Sequence, residues 1–555
     1  MIYSDSEITP ENLEFDGVNI PVYTFDAVIV GAGAAGLGAA CALLSAGYNN
    51  IAIVTESMKS GASKNPAENN SVYYKIALNA APGQADSVRG LAEDYFGGFS
   101  MDGDMALVQA AYSARCFYRL IGLGVDFPQN IYGEFAEYGD PARTVDAGPF
   151  TAKKIAEAAE KYILNKNIPV FNRFRSVSII TAAGAAAGLL AIDKDMQKTY
   201  ADEIREYNIT TRINNANKNI FGKIREKSNQ SNTNAGVKNQ IARYGPAAES
   251  SRPEPELPQG NEFGYVLFKA ANTIYAVGGP AGIYADETHL YPPNMTCSFG
   301  AAFTAGVKGK NLTETAFKGG RAYYLNGGLD CDIYSESNIK RFFPIGEAAA
   351  VFGTNAPEGA PLAAAQITAL RAAEKISGEY NGNRADETSM EEFGAAAAGE
   401  AVKYINAARL LLKNAVRNVV SENVPEMRKK YQRRFSDCCM AVRPLDDITL
   451  AVADCRFDIA NFINDNKIDD ITYMHEVFEN YDILVTQYVF LQAARNYILS
   501  GGKSRGSYTV LKKETAPERD SADFNNLVSF VKIKNADAFE IEFTTRKVKD
   551  IPDYI

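Results

Sequence analysis

The stretch "FDAVIVGAGAAGLGAACALLSAGYNNIAIVTE", from Phe25 to Glu56, decides the fold. It begins with an apolar strand and passes through a glycine-rich turn into an alanine-rich segment that ends at Gly47. A second apolar strand and an acid follow. This order of strand, glycine turn, helix and strand is typical of units that bind dinucleotides.

Each glycine of the turn has a separate physical role in such a unit. Gly31 makes the tight turn, Gly33 lets the backbone approach a pyrophosphate at the helix N-terminus, and Gly36 lets the helix lie close to the strand. Glu56 lies twenty residues after Gly36, where an acid accepts hydrogen bonds from ribose hydroxyls. The spacing predicts a dinucleotide site, and the alternative is a glycine turn with a structural role alone.

Composition excludes several other classes of protein. The 555 residues are 46% hydrophobic, which is enough for three or four domain-sized units. A net charge of -10 without long runs of one sign argues against a nucleic-acid partner. The seven cysteines lack Cys-x-x-Cys spacing, so we predict no metal site. The first residues do not resemble a secretion signal, so we expect a cytoplasmic protein. The longest apolar run, 177–192, is too short for a membrane span.

In two later segments, too, glycines follow directly after a strand and leave the backbone accessible. "NTIYAVGGPAGIY", residues 272–284, runs from an apolar strand into Gly278 and Gly279, and "IKRFFPIGEAAAVFG", residues 339–353, runs into Gly346 and Glu347. Open α/β sheets bind ligands at the C-terminal ends of their strands. Either segment alone could equally be a plain turn.

Together these segments resemble the FAD-binding domain of the fumarate reductase, succinate dehydrogenase and aspartate oxidase flavoprotein family. In that family the first turn holds the FAD pyrophosphate, an Ala-Thr-Gly-Gly turn follows the third strand, and a Gly-Glu pair lies near the flavin and ribitol. The resemblance implies an α/β fold, with a Rossmann-like FAD-binding domain and a C-terminal helical domain. It implies non-covalent FAD, because no histidine follows Glu56 closely. The implied cofactor residues are Gly31, Ala32, Gly33, Ala34, Ala35, Gly36, Glu56, Ser57, Ala276, Gly278, Gly279, Gly346, Glu347 and Leu362.

The stretch "TETAFKGGRAYYLNGGLDCD", residues 313–332, departs from the family. It reads as the end of a helix, a glycine pair, seven residues, a second glycine pair and a strand. In the family, a capping domain lies in this interval between two substrate-binding histidines. Lys318 and Tyr324 fall near those histidine positions, with only residues 319–323 between them. We therefore expect the chain to lack the capping domain.

A second departure concerns the substrate. Ala356 falls near a family arginine that clamps a substrate carboxylate, and Glu358 nearby would repel such a group. The chain is therefore not expected to be a fumarate or succinate enzyme.

Four residues are candidates for catalysis. Lys318 and Tyr324 could donate protons or bind an anion, or could simply pack. Arg143 in "DPARTVDAGPFT" and Arg505 in "KSRGS" match motifs of another branch of FAD-binding proteins and are expected near the flavin. The alternative for both arginines is a salt bridge that holds loops.

The remaining sequence divides by its patterning. Residues from about 390 to 498 repeat apolar positions at helical spacing, whereas the last segment alternates like a β-hairpin. Residues 195–262 form a polar insertion, which is either a surface loop without a function or a lid. The predicted units are an N-terminal extension (1–24), the FAD-binding domain (25–194 and 263–384), the polar insertion (195–262), a helical domain with a return segment (385–515) and a β-rich tail (516–555).

Two functions remain open from the sequence. The first is an FAD-dependent oxidoreductase that transfers hydride between flavin and an organic substrate, small or bulky, as an alkene reductase or dehydrogenase does. A separate protein could then supply the electrons, because no second dinucleotide motif is evident. The second is an FAD-binding scaffold or subunit that has lost turnover. The intact cofactor motifs favour the first.

Overall fold

The computed structural model describes residues 2–3, 8–65, 71–79, 86–197, 260–285, 299–319, 321–380, 388–418, 423–511 and 517–553. Most of the predicted polar insertion, residues 198–259, lies outside them. The strands within the described residues are β1 (Ile2–Tyr3), β2 (Glu11–Phe15), β3 (Val18–Val30), β4 (Ile51–Thr55), β5 (Tyr73–Tyr74), β6 (Glu137–Tyr138), β7 (Thr144–Val145), β8 (Val170–Asn172), β9 (Phe174–Ala182), β10 (Ala185–Asp193), β11 (Tyr265–Tyr275), β12 (Gly309–Lys310), β13 (Thr315–Lys318), β14 (Arg321–Leu325), β15 (Gly328–Leu329), β16 (Phe342–Pro344), β17 (Val442–Pro444), β18 (Thr509–Leu511), β19 (Leu527–Asn535) and β20 (Glu540–Lys547).

The described residues also form helices. They are α1 (Ala34–Ser45), α2 (Val88–Phe96), α3 (Gly103–Gly122), α4 (Thr151–Asn165), α5 (Gly300–Thr304), α6 (Ala360–Glu379), α7 (Met390–Asn418), α8 (Val424–Cys439), α9 (Leu445–Asp465), α10 (Met474–Leu499) and α11 (Ala522–Asn525). No described helix combines the length and the apolar character that crossing a bilayer requires.

A mixed sheet of nine strands organises the fold. Its order is β1, β8, β4, β3, β11, β10 and β9, with β16 beside β11 and β2 beside β3. Strand β3 runs parallel to β4 and to β11, and β11 runs parallel to β16. The carboxyl ends of these four strands therefore lie at one edge of the sheet. The three predicted glycine turns and Glu56 follow those ends directly, which explains why they converge.

Both faces of the sheet are covered, which explains the continuous apolar run of β3. Ala27 and Ile29 face a core shared with α1, α3, α4 and α6. Val28 and Val30 belong to a second core that includes residues of α7, α8, α9 and α10. The helical segment predicted near the C-terminus is thus present and packs on the second face.

The tail contains the hairpin that its alternation predicts. Strands β19 and β20 pair antiparallel, and β19 continues through β12 to β15 in a four-stranded sheet. Arg546, in β20, binds Asp102 just before α3 through two contacts, Nη1 to Oδ1 at 2.7 Å and Nη2 to Oδ2 at 2.8 Å. The tail is therefore joined to the first part of the chain.

The helix end expected after Thr313 is wrong. Residues Thr315–Lys318 form β13, which pairs with β14 in a hairpin whose register places Thr315 opposite Leu325. Aromatic residues on both sides of a glycine pair favour a hairpin over a helix end. Lys318 at the end of β13 lies opposite Arg321 at the start of β14. The expected lack of the capping domain stays a prediction.

Candidate cofactor site

A cleft opens at the carboxyl edge of the sheet, in front of α1. The ends of β3, β4 and β11 form its floor, and the start of α6 forms one wall. The predicted cofactor residues that line it are Gly31, Ala32, Gly33, Ala34, Ala35, Glu56, Ser57, Ala276, Gly278, Glu347 and Leu362. Gly36, Gly279 and Gly346 do not line the cleft. The turns predicted from the sequence therefore meet at one site.

The three glycines of the turn differ in the space available for a side chain. Gly31 has φ of +108°, and a Cβ there would lie 2.3 Å from the carbonyl oxygen of Ala276. A Cβ on Gly36 would lie 2.0 Å from the carbonyl oxygen of Gly31. A Cβ on Gly33 would meet nothing closer than Ser63 Oγ, at 3.6 Å. Gly31 and Gly36 are thus required by the protein's own packing, whereas Gly33 faces open space.

The N-terminus of α1 faces this open space. Gly33 is the N-cap residue, the first turn carries no acid, and the Ala34 N–H donates to Ser63 Oγ at 3.1 Å. Helix N-termini favour anions because their amides are unpaired and the helix dipole is positive there. The arrangement matches the diphosphate position that the resemblance implies.

Glu56 lies between two cations. Its Oε1 accepts from Arg175 Nη1 at 2.6 Å and its Oε2 accepts from Lys194 Nζ at 2.6 Å. Burial raises the pKa of this carboxyl, but Arg175 and Lys194 outweigh burial and lower it to about 2. The carboxylate is therefore ionised, and each oxygen keeps a lone pair that a ribose hydroxyl could reach.

Glu347 is an acid with no ion pair to a cation among the described residues. Burial raises its pKa to about 8, although the Gly279 N–H donates to the carboxyl and lowers it. Its Oε1 is buried and has no partner among the described residues. An unpaired buried oxygen costs free energy unless a ligand supplies a donor. FAD fits the site on this observation, since Glu347 lies in the cleft and the flavin and ribitol carry such donors.

We expect Glu347→Gln to change how the stability of the apo-protein depends on pH. A raised acid pKa means that the folded state binds more protons, so the wild-type unfolding free energy falls as pH rises from about 4.5 towards 8. The unfolding free energy of the variant lacks this fall. Measured by urea unfolding, it should therefore rise relative to that of the wild type between pH 5 and pH 8. The control is Glu358→Gln, at an exposed position. Parallel pH curves for Glu347→Gln and wild type would refute the assignment.

Tyr324 is the one catalytic candidate that lines the cleft. Its side chain is 5% exposed, and its ring contacts Phe352 with a centroid distance of 5.7 Å. The hydroxyl is buried without a partner among the described residues. Burial raises its pKa far above the ordinary value, so the phenol stays protonated. It can therefore hold a proton beside a bound cofactor.

The other three catalytic candidates lie away from the cleft lining. Arg143 binds Asp86 through Nε and Nη2, at 2.8 and 2.6 Å, and also pairs with Asp94. Arg505 pairs with Glu314 inside the protein. These contacts match the salt-bridge alternative, because each guanidinium already has carboxylate partners.

Lys318 is exposed at the end of β13, with its Nζ 5.0 Å from the ring centre of Tyr323. Its position gives no support to a catalytic role.

Sequence reasoning missed several polar residues of the cleft, and three of them are Ser63, Arg175 and Asp482. Ser63 follows Glu56 in a serine-rich stretch, Arg175 is the second residue of the largely apolar strand β9, and Asp482 lies in a largely buried helix. A charged residue inside an otherwise apolar strand or helix is the signal that could have identified the last two. Such a residue needs a partner, and the partner is usually distant in sequence.

Residues 26–218 match the family described as FAD binding domain. The match spans 193 of the 555 residues. The family consists of flavin-dependent oxidoreductases. Its match covers the glycine turn, α1, Glu56 and the strands up to β10. A comparison with curated proteins finds no significant match.

Several solved structures share the architecture of this chain. E. coli quinol fumarate reductase FrdA superposes with a TM-score of 0.68 at 14% identity, over 96% of this chain and 98% of that one. Mycobacterium smegmatis Sdh1 gives 0.69 at 15%, over 95% of each chain. Adenylylsulfate reductase from Archaeoglobus fulgidus gives 0.63 at 11%, over 99% and 100%. At these identities the likeness establishes a common fold.

Proposed function

We propose that this protein is an FAD-dependent oxidoreductase of the alkene reductase or dehydrogenase type, acting on an organic substrate other than fumarate or succinate. The observation that carries the proposal is the phenol of Tyr324, which is buried, protonated and without a partner among the described residues, in the same cleft as the cofactor residues. A polar group so placed is costly unless a ligand uses it.

The residues of the cleft would hold FAD without a covalent bond. The amides at the start of α1 would bind the diphosphate, Glu56 the ribose, and Glu347 a donor of the ribitol or flavin. No histidine lies in residues 57–71, where the resemblance places covalent attachment. When bound, FAD supplies hydride transfer to or from a carbon atom of the substrate.

The protein's own part in the reaction is to position the substrate, move a proton and exclude water. The hydroxyl oxygen of Tyr324 holds the proton that a substrate atom would receive in reduction. The ring of Phe352 packs against this phenol and limits its movement. Pro361 and Leu362 line the same cleft and exclude water from it.

We expect Tyr324→Phe to bind FAD normally and to react about 100-fold more slowly with its substrate, the effect of losing a positioned proton donor. The stability of the variant should equal that of wild type or exceed it, because the hydroxyl has no partner to lose. Stopped-flow reoxidation of the reduced protein measures the rate, with Tyr323→Phe as the control on the opposite face of the strand. An unchanged rate in Tyr324→Phe would remove Tyr324 from the mechanism.

The substrate class follows from charge. Arg175 is the one cation among the described residues that line the cleft, and three carboxylates surround it. A substrate carboxylate would therefore meet no free cation there. This supports a neutral substrate, small or bulky, with electrons from the substrate itself or from a separate donor protein. We place the protein in the cytoplasm, where its cysteines would remain reduced.

A scaffold that binds FAD without turnover is the second candidate. The observation that favours it is the engagement of Arg143 and Arg505 in ion pairs, which leaves Tyr324 as the one candidate beside the flavin. Anaerobic reduction with dithionite, followed by neutral enones, enoates and quinones, separates the two. Rapid reoxidation by a neutral enone supports the oxidoreductase, and reoxidation by oxygen alone supports the scaffold. Reoxidation by fumarate would contradict the substrate assignment.

A further inference from the structure

Arg175 lies at the centre of an ion-pair cluster at the ribose end of the cleft. It follows the first residue of β9, its side chain is buried, and its guanidinium reaches three carboxylates. Nη1 donates to Glu56 Oε1 at 2.6 Å and to Glu479 Oε1 at 3.0 Å, and Nη2 lies 3.7 Å from Asp482 Oδ2. One side chain thus joins the acid at the end of β4 to two acids of α10.

The cluster continues into the helical segment. Glu479 also binds Arg428 of α8, Nη2 to Oε2 at 2.5 Å. Asp482 accepts from the Ala301 N–H at 2.6 Å through its other oxygen. Arg175 and Asp482 both line the cleft, whereas Glu479 does not. The helices at the C-terminal end of the chain therefore contribute a wall and a support to the ribose end of the cofactor site.

We propose that Arg175 is a positioning residue for cofactor binding: it holds Glu56 in the orientation that receives the adenosine ribose, and α10 controls FAD affinity by holding Arg175. This inference rests on the proposed function only in taking FAD as the ligand of the cleft.

The physical argument concerns the freedom of Glu56. Its side chain is 40% exposed, so without restraint it would sample several rotamers, and binding would have to order it. Lys194 also binds Glu56, but through a flexible chain, whereas a guanidinium with several carboxylate partners is rigid. Arg175 thus removes an ordering cost that FAD would otherwise meet on binding.

The test is the affinity of the apo-protein for FAD and for ADP, which shares only the adenosine and diphosphate part of FAD. In Arg175→Gln we expect the Kd for both ligands to rise about tenfold or more, by a similar factor, because the effect lies at the shared end. Arg175→Lys should recover part of the affinity through its charge. Flavin fluorescence measures FAD, and displacement of FAD measures ADP.

The control is Arg173→Gln. Arg173 lies two positions earlier and forms an exposed pair with Asp195, at 2.8 Å, so its loss should change neither Kd by more than about twofold. Thermal unfolding of the apo-proteins shows whether each variant is folded. A folded Arg175→Gln with wild-type affinity for FAD and ADP would overturn the proposal.

A second variant tests the role of α10 and decides the matter if Arg175→Gln does not fold. Glu479→Gln keeps the shape of the side chain and removes its charge, so Arg175 loses part of its support. We expect the Kd for FAD and ADP to rise about threefold or more. Wild-type affinities in a folded Glu479→Gln would overturn control by α10. A wild-type protein that bound neither ligand would instead refute the proposed function itself.

Discussion

Gly33→Ala is expected to keep the fold and lose FAD. A Cβ at this position would lie 3.6 Å from its nearest protein neighbour, an ordinary contact, and the backbone there has φ of -82° and ψ of -175°. The unfolding free energy should stay within about 1 kcal/mol of wild type, or rise, because alanine restricts the unfolded chain. The new methyl group would occupy the space in front of α1 that the diphosphate needs.

The size of the loss follows from the contacts that the diphosphate would forfeit. Each hydrogen bond from an amide to a charged phosphate oxygen is worth about 1.5–3 kcal/mol, so two of them correspond to a Kd at least about 100-fold higher. Titration of the apo-protein with FAD measures this, and urea unfolding measures stability. Gly122→Ala, where a Cβ meets nothing within 4 Å, is the matched control. Tight FAD binding by Gly33→Ala would show that the diphosphate lies elsewhere.

Arg505→Met is expected to lower the unfolding free energy by about 3–5 kcal/mol, the usual cost of leaving one member of a buried ion pair alone. Both side chains of the pair are almost fully buried, at 2% exposure for Arg505 and 0% for Glu314. Arg505 also donates to the Phe524 carbonyl at 2.6 Å, which ties the return segment to the tail. Glu314 also receives hydrogen bonds from the hydroxyls of Thr354, at 3.1 Å, and Thr313, at 3.3 Å, so only neutral donors would remain beside it.

The matched control is Arg519→Met. Arg519 is exposed and donates to the Gly506 carbonyl at 3.1 Å, so its loss should cost less than about 0.5 kcal/mol. Urea unfolding of both apo-proteins gives the comparison. If Arg505→Met kept wild-type stability and instead lost turnover, Arg505 would belong to the reaction, as the sequence motif alone suggested.

The sequence could predict that the cofactor candidates meet in one cleft, because the positions of most of them depend on residues nearby in the chain. Gly31, Gly33, Gly36 and Glu56 belong to one contiguous unit whose order of strand, turn and helix fixes their positions. Gly278 and Glu347 follow strands that are parallel to that unit. The carboxyl ends of parallel strands lie at one edge of a sheet, so both residues come to the same edge as the glycine turn. No long-range contact needs to be known for this.

The environments of the catalytic candidates depend on residues that are distant in sequence. The position of a candidate in the chain does not reveal those partners. Arg143 and Arg505 were expected near the flavin, but the acids that engage them, Asp86 and Glu314, come from other segments. Lys318 was placed by a family position, whereas the hairpin carries it out to solvent. Tyr324 faces the cleft because β14 alternates its side chains, and the segment was not recognised as a strand from its sequence.

The most direct test of the account is the flavin content of the purified protein after acid precipitation, with apo-protein first reconstituted with FAD. The account predicts about one flavin per chain, released into the supernatant and identified as FAD. Protein that retains no flavin after reconstitution would contradict the cofactor site, and flavin that stays with the precipitate would contradict non-covalent binding.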